Sequence, residues 1–254
     1  MTGVLPIALE DAVKIIQPLL TTGKEYISIM KLHSEVSEDH LKSILEEFQG
    51  TIYQKPPLRS SVKRRVRQRK IYYLDPLEVE GRSILFKVGC EAGTYIRKLT
   101  HDIGEALGCG AHMHELRRTR AGPFTDDVDI VTLYDLSYMV AHRQETRDES
   151  LVRKFIQPME KALSLLPKIY IRDSAVDAIC HGAHLTAPGV ISLETHIKPR
   201  DIVAILTLKG EAVALAKATA STEDILEMNH GIIARSMRVL MPRKTYPKLW
   251  RSSC

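Results

Sequence analysis

Between Ser83 and Leu107 the hydrophobic period changes, and that change constrains the fold more than any other feature of the chain. Ile84, Phe86, Val88 and Cys90 alternate with more polar neighbours, the pattern of a strand with one buried face. Ile96, Leu99, Ile103 and Leu107 then recur at helical spacing, and Gly108 stops the pattern. The spacing predicts a strand over 83–90 and a helix over about 94–107, joined by a turn at Gly93–Thr94. A strand that runs straight into a helix with one apolar stripe implies a helix laid on a sheet, an α/β (α+β) architecture. The turn brings Arg97 to the carboxyl end of the strand, where functional side chains collect in sheet proteins. On its own, Arg97 reads equally well as a surface arginine paired with a nearby glutamate.

Other segments fit the same layering. Residues 25–32 alternate as a strand. Leu41, Ile44, Leu45 and Phe48 mark a helix capped by Ser37, with Val36 stapled onto Leu41 and Gly50 at its end. Residues 51–74 read as a loop entering a strand, 141–150 as a polar surface connection, and 150–165 as an amphipathic helix. From Lys168 the texture shifts to short strands at 168–172, 202–208, 212–218 and 231–240, with helices at 174–181 and 222–228. We therefore expect two domains, 1–165 and 166–254. The last twelve residues carry no acidic group and are expected to pack loosely.

Charge is unevenly spread. The net formal charge is only +5, yet eight basic residues and no acidic one lie between Lys55 and Leu74, and Arg117, Arg118 and Arg120 form a second cluster. Such runs are usually solvated faces. Two of them, one flanked by Tyr72 and Tyr73, favour a polyanion surface. Hydrophobic residues make up 44% of the chain and charged ones 26%, an ordinary globular composition, with no apolar run long enough for a membrane span. The N-terminus has neither the basic start nor the cleavage site of a secretory signal. The four cysteines show no metal-ligand spacing and read as reduced thiols. His112 and His114 could pair on a metal but more simply line a turn.

The stretch CEAGTYIRKLTHDIGEALGCGAHMHELRRTRAGPF (90–124) resembles the segment of TruB/dyskerin-type RNA pseudouridine synthases that carries their GTYIR and LRR motifs. KEYISIMKL resembles the strand with that family's active-site tyrosine. LEEFQGTIYQKPPLRSSVKRRVRQRKIYYLD resembles its RNA-gripping loop. The segment from IYIRDSAVDAICHGAHLTAPGV to IIARSMRVLMPRKTYPKLW resembles the PUA domain of the archaeal and eukaryotic branch. The resemblance implies a catalytic domain with a mixed, mainly antiparallel sheet, plus a small β-barrel-like PUA domain. It implies that Tyr26 stacks on the target base, Arg97 pairs with a nucleophilic aspartate and Leu116 lines the pocket. It places substrate RNA on the loop residues Arg59, Lys63, Arg64 and Arg65, and the ACA end of a guide RNA on His181, Gly182, Leu185, Pro188 and Gly189; the second basic cluster adds Arg117 and Arg118 as expected RNA contacts.

The family's aspartate sits in a G-H-x-G-x-L-D-P-x-x-T-G run. MTGVLPIAL resembles only the tail of that run, so the aspartate would lie three residues before Met1 and the catalytic domain reads as truncated at its N-terminus. Asp102 falls within the predicted helix and is no substitute. The chain is thus expected to isomerise uridine in rRNA, or in tRNA, under an H/ACA guide RNA and with the small proteins of that particle. No cofactor, metal or membrane is implied, and an archaeal-like cytoplasmic setting is expected. The rivals are an RNA-binding scaffold without catalysis and a stand-alone tRNA enzyme.

Overall fold

The computed structural model describes residues 1–57, 63–127 and 130–248. In chain order the elements of the first half are β1 (Thr2–Gly3), a 3-10 turn (Glu10–Ile15), α1 (Ile16–Thr21), β2 (Lys24–Leu32), α2 (Glu38–Glu47), β3 (Gly50–Gln54), β4 (Arg67–Glu80), β5 (Ser83–Cys90) and α3 (Ile96–Ala106). β6 (Ala111–Ala121), β7 (Phe124–Thr125), α4 (Leu133–Thr146), α5 (Ser150–Phe155) and α6 (Met159–Ala162) follow. The remainder is β8 (Lys168–Ile171), α7 (Asp173–Cys180), β9 (Leu185–Thr186), a 3-10 turn (Ala187–Gly189), β10 (Val190–Leu193), β11 (Ile202–Thr207), β12 (Ala212–Ala218), α8 (Thr222–Glu227) and β13 (Ile232–Val239).

The described residues of Met1–Ile7 and Leu20–Ile156 form one compact unit, and those of Ala8–Leu19 and from Gln157 onward form a second. In the first unit the strands lie in the order β1-β6-β2-β5-β4-β3, with β7 beside β6. Every pairing is antiparallel except β1 with β6, so the sheet is mixed and mainly antiparallel. Met30 and Leu32 from β2, the alternating Ile84, Phe86, Val88 and Cys90 of β5, and Ile96, Leu99 and Ile103 of α3 form one buried core with Leu41 and Leu45 of α2. The two periodicities read from the sequence meet face to face. α2 is capped as expected: the Ser37 hydroxyl accepts from the His40 amide at 3.4 Å.

Up to α6 the structure corrects several expectations. β3 lies within the stretch read as loop and pairs with β4 from Gly50↔Ile71 to Gln54↔Arg67. β4 runs through Pro76, whose Asp-Pro sequence signals a turn; the ladder to β5 shifts register between Pro76 and Glu78, the kind of irregularity at which proline is tolerated. α4 covers most of the segment read as a polar connection. None of its residues is buried and its capping box on Thr132 and Asp135 holds it, so packing periodicity could not reveal it. The helix expected over 150–165 is broken: Ile156 is extended and Pro158 caps the new helix α6. His112 and His114 sit on strand β6 rather than in a turn, with His112 Nδ1 3.2 Å from His33 Nε2.

The second unit is a nearly closed six-stranded sheet in the order β10-β8-β11-β12-β13-β9. It surrounds a core of Ile169, Ile171, Val176, Ile179, Val203, Ile205, Val213 and Ile233. β9 and β10, of two and four residues, are too short for alternation to mark them in the sequence. Of the tail expected to pack loosely, residues 249–254 lie outside the described residues, and the described part is anchored through Tyr246, whose hydroxyl donates to Glu211 at 2.6 Å under the Lys209 ammonium.

Candidate nucleic-acid and catalytic site

One end of the first sheet gathers the chemistry. β5 and β6 finish there, β2 begins there, and α3 starts after a turn in which the Thr94 hydroxyl donates to Glu91 O at 2.7 Å. Tyr26 on β2 faces Val88 of β5 on one side and Arg118 of β6 on the other. Two residues along, Ser28 faces Leu116 and donates to Glu115 O at 2.7 Å. Because side chains alternate across a strand, Tyr26, Leu116 and Arg118 share the face covered by α3, and Tyr26 and Leu116 both pack against the core. Arg97 lies in the first turn of α3 and is exposed, and its guanidinium makes no ion pair among the described residues. The Arg69 guanidinium lies over Gly93 in the turn before it, where an added Cβ would stand 3.1 Å from Nη2. Three cations, Arg69, Arg97 and Arg118, therefore flank this end of the sheet.

Arg118 has a part that the sequence did not disclose. Its Nε donates to Val4 O at 2.6 Å, and its charge lies close enough to Tyr26 to favour the phenolate. The Val4 amide donates in turn to Arg118 O at 2.8 Å. Gly3 is at φ +105, and an added Cβ would lie 2.1 Å from Arg118 O, so only glycine lets β1 seat here. Burial, and then Cys90, push the Tyr26 phenol above its ordinary range, with the Arg118 charge opposing them; the phenol stays protonated at neutral pH. Burial pushes the Cys90 thiol up to about 11, which removes it as a nucleophile.

On the opposite face, behind Tyr26, Glu25 accepts from Tyr73, from Thr119 Oγ1 at 2.7 Å and lies 3.2 Å from Lys87 Nζ. This carboxylate ties β2, β4, β5 and β6 together at the level of the site. The Tyr73 ring lies against Gly89, where a Cβ would be 2.3 Å from it.

Of the predicted RNA contacts, Lys63, Arg64 and Arg65 are exposed between β3 and β4, and Arg59 lies outside the described residues. Arg117 points away from Tyr26 and pairs with Asp126 at 2.5 Å. In the second unit, His181 caps α7, its amide donating to Asp177 O at 3.1 Å. Gly182 follows at φ +92 with open space around it. Leu185 is buried on β9, and Pro188 and Gly189 form the 3-10 turn, with Gly189 O accepting from the Arg172 amide at 2.9 Å. The five residues make one continuous ribbon on that unit.

Among the described residues, no three His, Cys, Asp or Glu side chains converge as metal ligands, and no helix is long and apolar enough to cross a membrane.

Comparison with known proteins agrees with this geometry. Residues 1–96 match the TruB family pseudouridylate synthase N-terminal domain, 97–164 the tRNA pseudouridylate synthase B C-terminal domain, and 167–240 the PUA domain. A Methanopyrus kandleri protein named "Probable tRNA pseudouridine synthase B" is 58% identical over 98% of this chain and 74% of its own length. The protein of that name from Pyrococcus abyssi is 56% identical over 98% of this chain and 75% of its own. A solved H/ACA ribonucleoprotein bound to a substrate RNA containing 2'-deoxyuridine superposes with TM-score 0.92, at 52% identity over 98% of this chain and 75% of that one. A Cbf5-Nop10-Gar1 complex gives TM-score 0.93 at 54% identity, over 96% of this chain and 74% of that one. With nearly the whole chain matched at this identity, the chain belongs to the TruB family of pseudouridine synthases and carries a PUA domain.

Proposed function

We propose that the chain is the catalytic subunit of an H/ACA RNA-guided uridine isomerase acting on rRNA, in a cytoplasmic particle with small protein partners of the Nop10 and Gar1 kind. The observation that carries this reading is the 52% identical, near-complete superposition on a substrate-bound H/ACA particle. The domain division at residue 165/166 belongs to the same proposal, with isomerisation assigned to the first part and guide RNA to the second.

The isomerisation breaks the N1–C1' bond, turns the uracil and joins C5 to C1'; one proton leaves C5 and one is gained at N1, with no net change of atoms. A base must first leave its stack, at a cost of a few kcal/mol. Tyr26 offers an aromatic face for it, and Leu116 an apolar wall on the same side of the sheet. The sugar is attacked by a carboxylate, which Arg97 keeps ionised: a guanidinium about 4–6 Å away lowers a carboxylate pKa by roughly 1–3 units. The family pattern attaches that carboxylate four residues ahead of Thr2, a reach of at most about 13 Å at about 3.3 Å per residue. β1 pairs Thr2 and Gly3 with Arg117 and Arg118, on the strand that carries Leu116, which supports a reach of that length ending on the Tyr26 face. Arg59, Lys63, Arg64 and Arg65 hold substrate phosphates, and the ribbon of His181, Gly182, Leu185, Pro188 and Gly189 holds the guide's ACA end.

The relatives named for tRNA favour one other reading, a stand-alone tRNA enzyme. Affinities for a hairpin ending in ACA and for the same hairpin ending in UUU separate the two. A guide-directed protein prefers the ACA form, and Gly182→Val, which puts a branched side chain on the ribbon, removes the preference. Equal affinity for both hairpins overturns the guided reading.

A further inference from the structure

The body of α3 is fixed by its apolar stripe. Ile96, Leu99 and Ile103 are buried in the core of the first unit, and a helix seated on such a stripe has its axis set. Its first turn is held differently. The N-cap residue, Tyr95, is extended at φ −96 and ψ 104, and its side chain makes no capping hydrogen bond. A helix N-terminus leaves backbone amides without intrahelical acceptors, so an uncapped first turn frays unless another group holds it. Arg97 is the second residue of that turn.

The holding group comes from β3. Gln54, the last residue of that strand, is 2% exposed. Its Oε1 accepts from the Tyr95 amide at 3.0 Å, and its Nε2 donates to Tyr95 O at 3.3 Å. Tyr95 O also accepts the first helical bond of α3, from the Leu99 amide at 2.9 Å. One side chain thus clamps both polar groups of the residue on which the helix starts, as a neighbouring strand would. A carboxamide suits this place because it presents an acceptor and a donor side by side without a charge. Glutamate has the length but, ionised, lacks the donor; asparagine is one methylene short. Burying an amide costs more than burying an apolar side chain, so the two bonds, not the burial, account for glutamine here.

The start of the same turn is tied to β4. The Glu91 amide donates to Lys70 O at 2.8 Å, and the Glu91 carboxylate accepts from the Lys70 amide at 3.1 Å. The β3–β4 hairpin therefore grips the turn at both ends, and Arg97 follows directly on the second grip. The exposed Arg97 guanidinium makes no ion pair among the described residues, so its direction is inherited from the backbone of the first turn.

We propose that Gln54 is a positioning residue for the isomerisation: by clamping Tyr95 it fixes the first turn of α3 and so aims Arg97 at the attacking carboxylate. The proposal rests on the role given to Arg97 above.

The test is single-turnover pseudouridine formation and substrate RNA affinity for the whole chain, with the family's aspartate run joined to Met1 and with guide RNA and partner proteins present. Gln54→Met keeps the length and the burial and removes both bonds. A displacement of about 1 Å in a reacting constellation can cost about 10²-fold, so this variant should slow the chemical step by about 10- to 100-fold. RNA affinity should stay within about 2-fold, because the clamp acts on the chemical step and not on uniform binding. Gln54→Glu, which removes only the donor, should show a smaller loss in the same step. The Tyr95 amide should lose exchange protection in Gln54→Met, while the Ile103 amide in the body of the helix keeps it. On the residual rate of Arg97→Ala, adding Gln54→Met should slow nothing further, since Gln54 acts through Arg97. An unchanged rate in Gln54→Met, a loss carried by RNA affinity instead of the chemical step, or effects of Gln54→Met and Arg97→Ala that simply multiply would each overturn the positioning role. Absence of turnover in wild type overturns the isomerase reading, and this role with it; turnover in wild type that Gln54→Met matches overturns this role alone.

Discussion

Replacing Glu25 tests whether the sheet behind Tyr26 is locked by a single carboxylate. Its side chain is 15% exposed and accepts from the Tyr73 and Thr119 hydroxyls, with the Lys87 ammonium at 3.2 Å. Glu25→Ala leaves both hydroxyls without their acceptor, at about 1 kcal/mol each, plus a cost for part-buried groups left unpaired. The Lys87 pair adds little, since Lys87 is 39% exposed and solvent screens it to about 0–1 kcal/mol. The expected loss is about 2–3 kcal/mol, and about 1 kcal/mol for Glu25→Gln, which keeps one acceptor. Burial raises the Glu25 pKa, but the bonds from Tyr73, Thr119 and Lys87 outweigh it and hold the group below its ordinary value. The carboxylate's contribution is therefore complete above the unfolded-state pKa and is lost as pH falls through the lower folded-state value. Native-state hydrogen exchange of the β2 and β5 amides reports both effects on this unit alone. A loss under about 0.5 kcal/mol in Glu25→Ala, or the same acid weakening in wild type and Glu25→Gln, would refute the lock.

Two further outcomes follow from the site. Replacing Lys63, Arg64 and Arg65 by alanine should lower the salt slope of RNA binding by about 0.7–0.9 for every phosphate those side chains neutralise; an unchanged slope would make the run a solvated face. Gly3→Ala should detach β1, since its Cβ cannot fit beside Arg118 O: the Val4 amide should lose exchange protection and the Tyr26 phenol should titrate differently, with β5 unaffected. Protection at Val4 equal to wild type would contradict the seating of β1.

How much of this was legible in the sequence depended on burial. β2, β5 and α3 each press one face on a common core, so Met30, Phe86 and Leu99 wrote their period into the chain. α4 buries nothing and left no period to read. β3 is five residues long beside Pro56-Pro57, and β4 passes through Asp75-Pro76, so local turn chemistry masked long-range pairing. The resemblance singled out Tyr26, Arg97 and Leu116. It could not show that Arg118 faces Tyr26 while Arg117 turns to Asp126, because that follows from the register of β2 on β6 and the irregularity between Glu25 and Tyr26. Nor could it show that Gln54 clamps Tyr95, since the two are separated in sequence and joined only by the fold.

The proposal under test is that this sheet end isomerises uridine with an aspartate supplied ahead of β1 and held ionised by Arg97. The most direct measurement is pseudouridine formed on a guided substrate, with partner proteins present and the G-H-x-G-x-L-D-P run joined to Met1 in its family spacing. The account predicts turnover with that aspartate and a loss of many powers of ten with asparagine in its place, with Arg97→Ala nearly as inactive and RNA binding retained in both. Turnover that survives the asparagine change, or that depends instead on an aspartate or glutamate within residues 1–254, would contradict it.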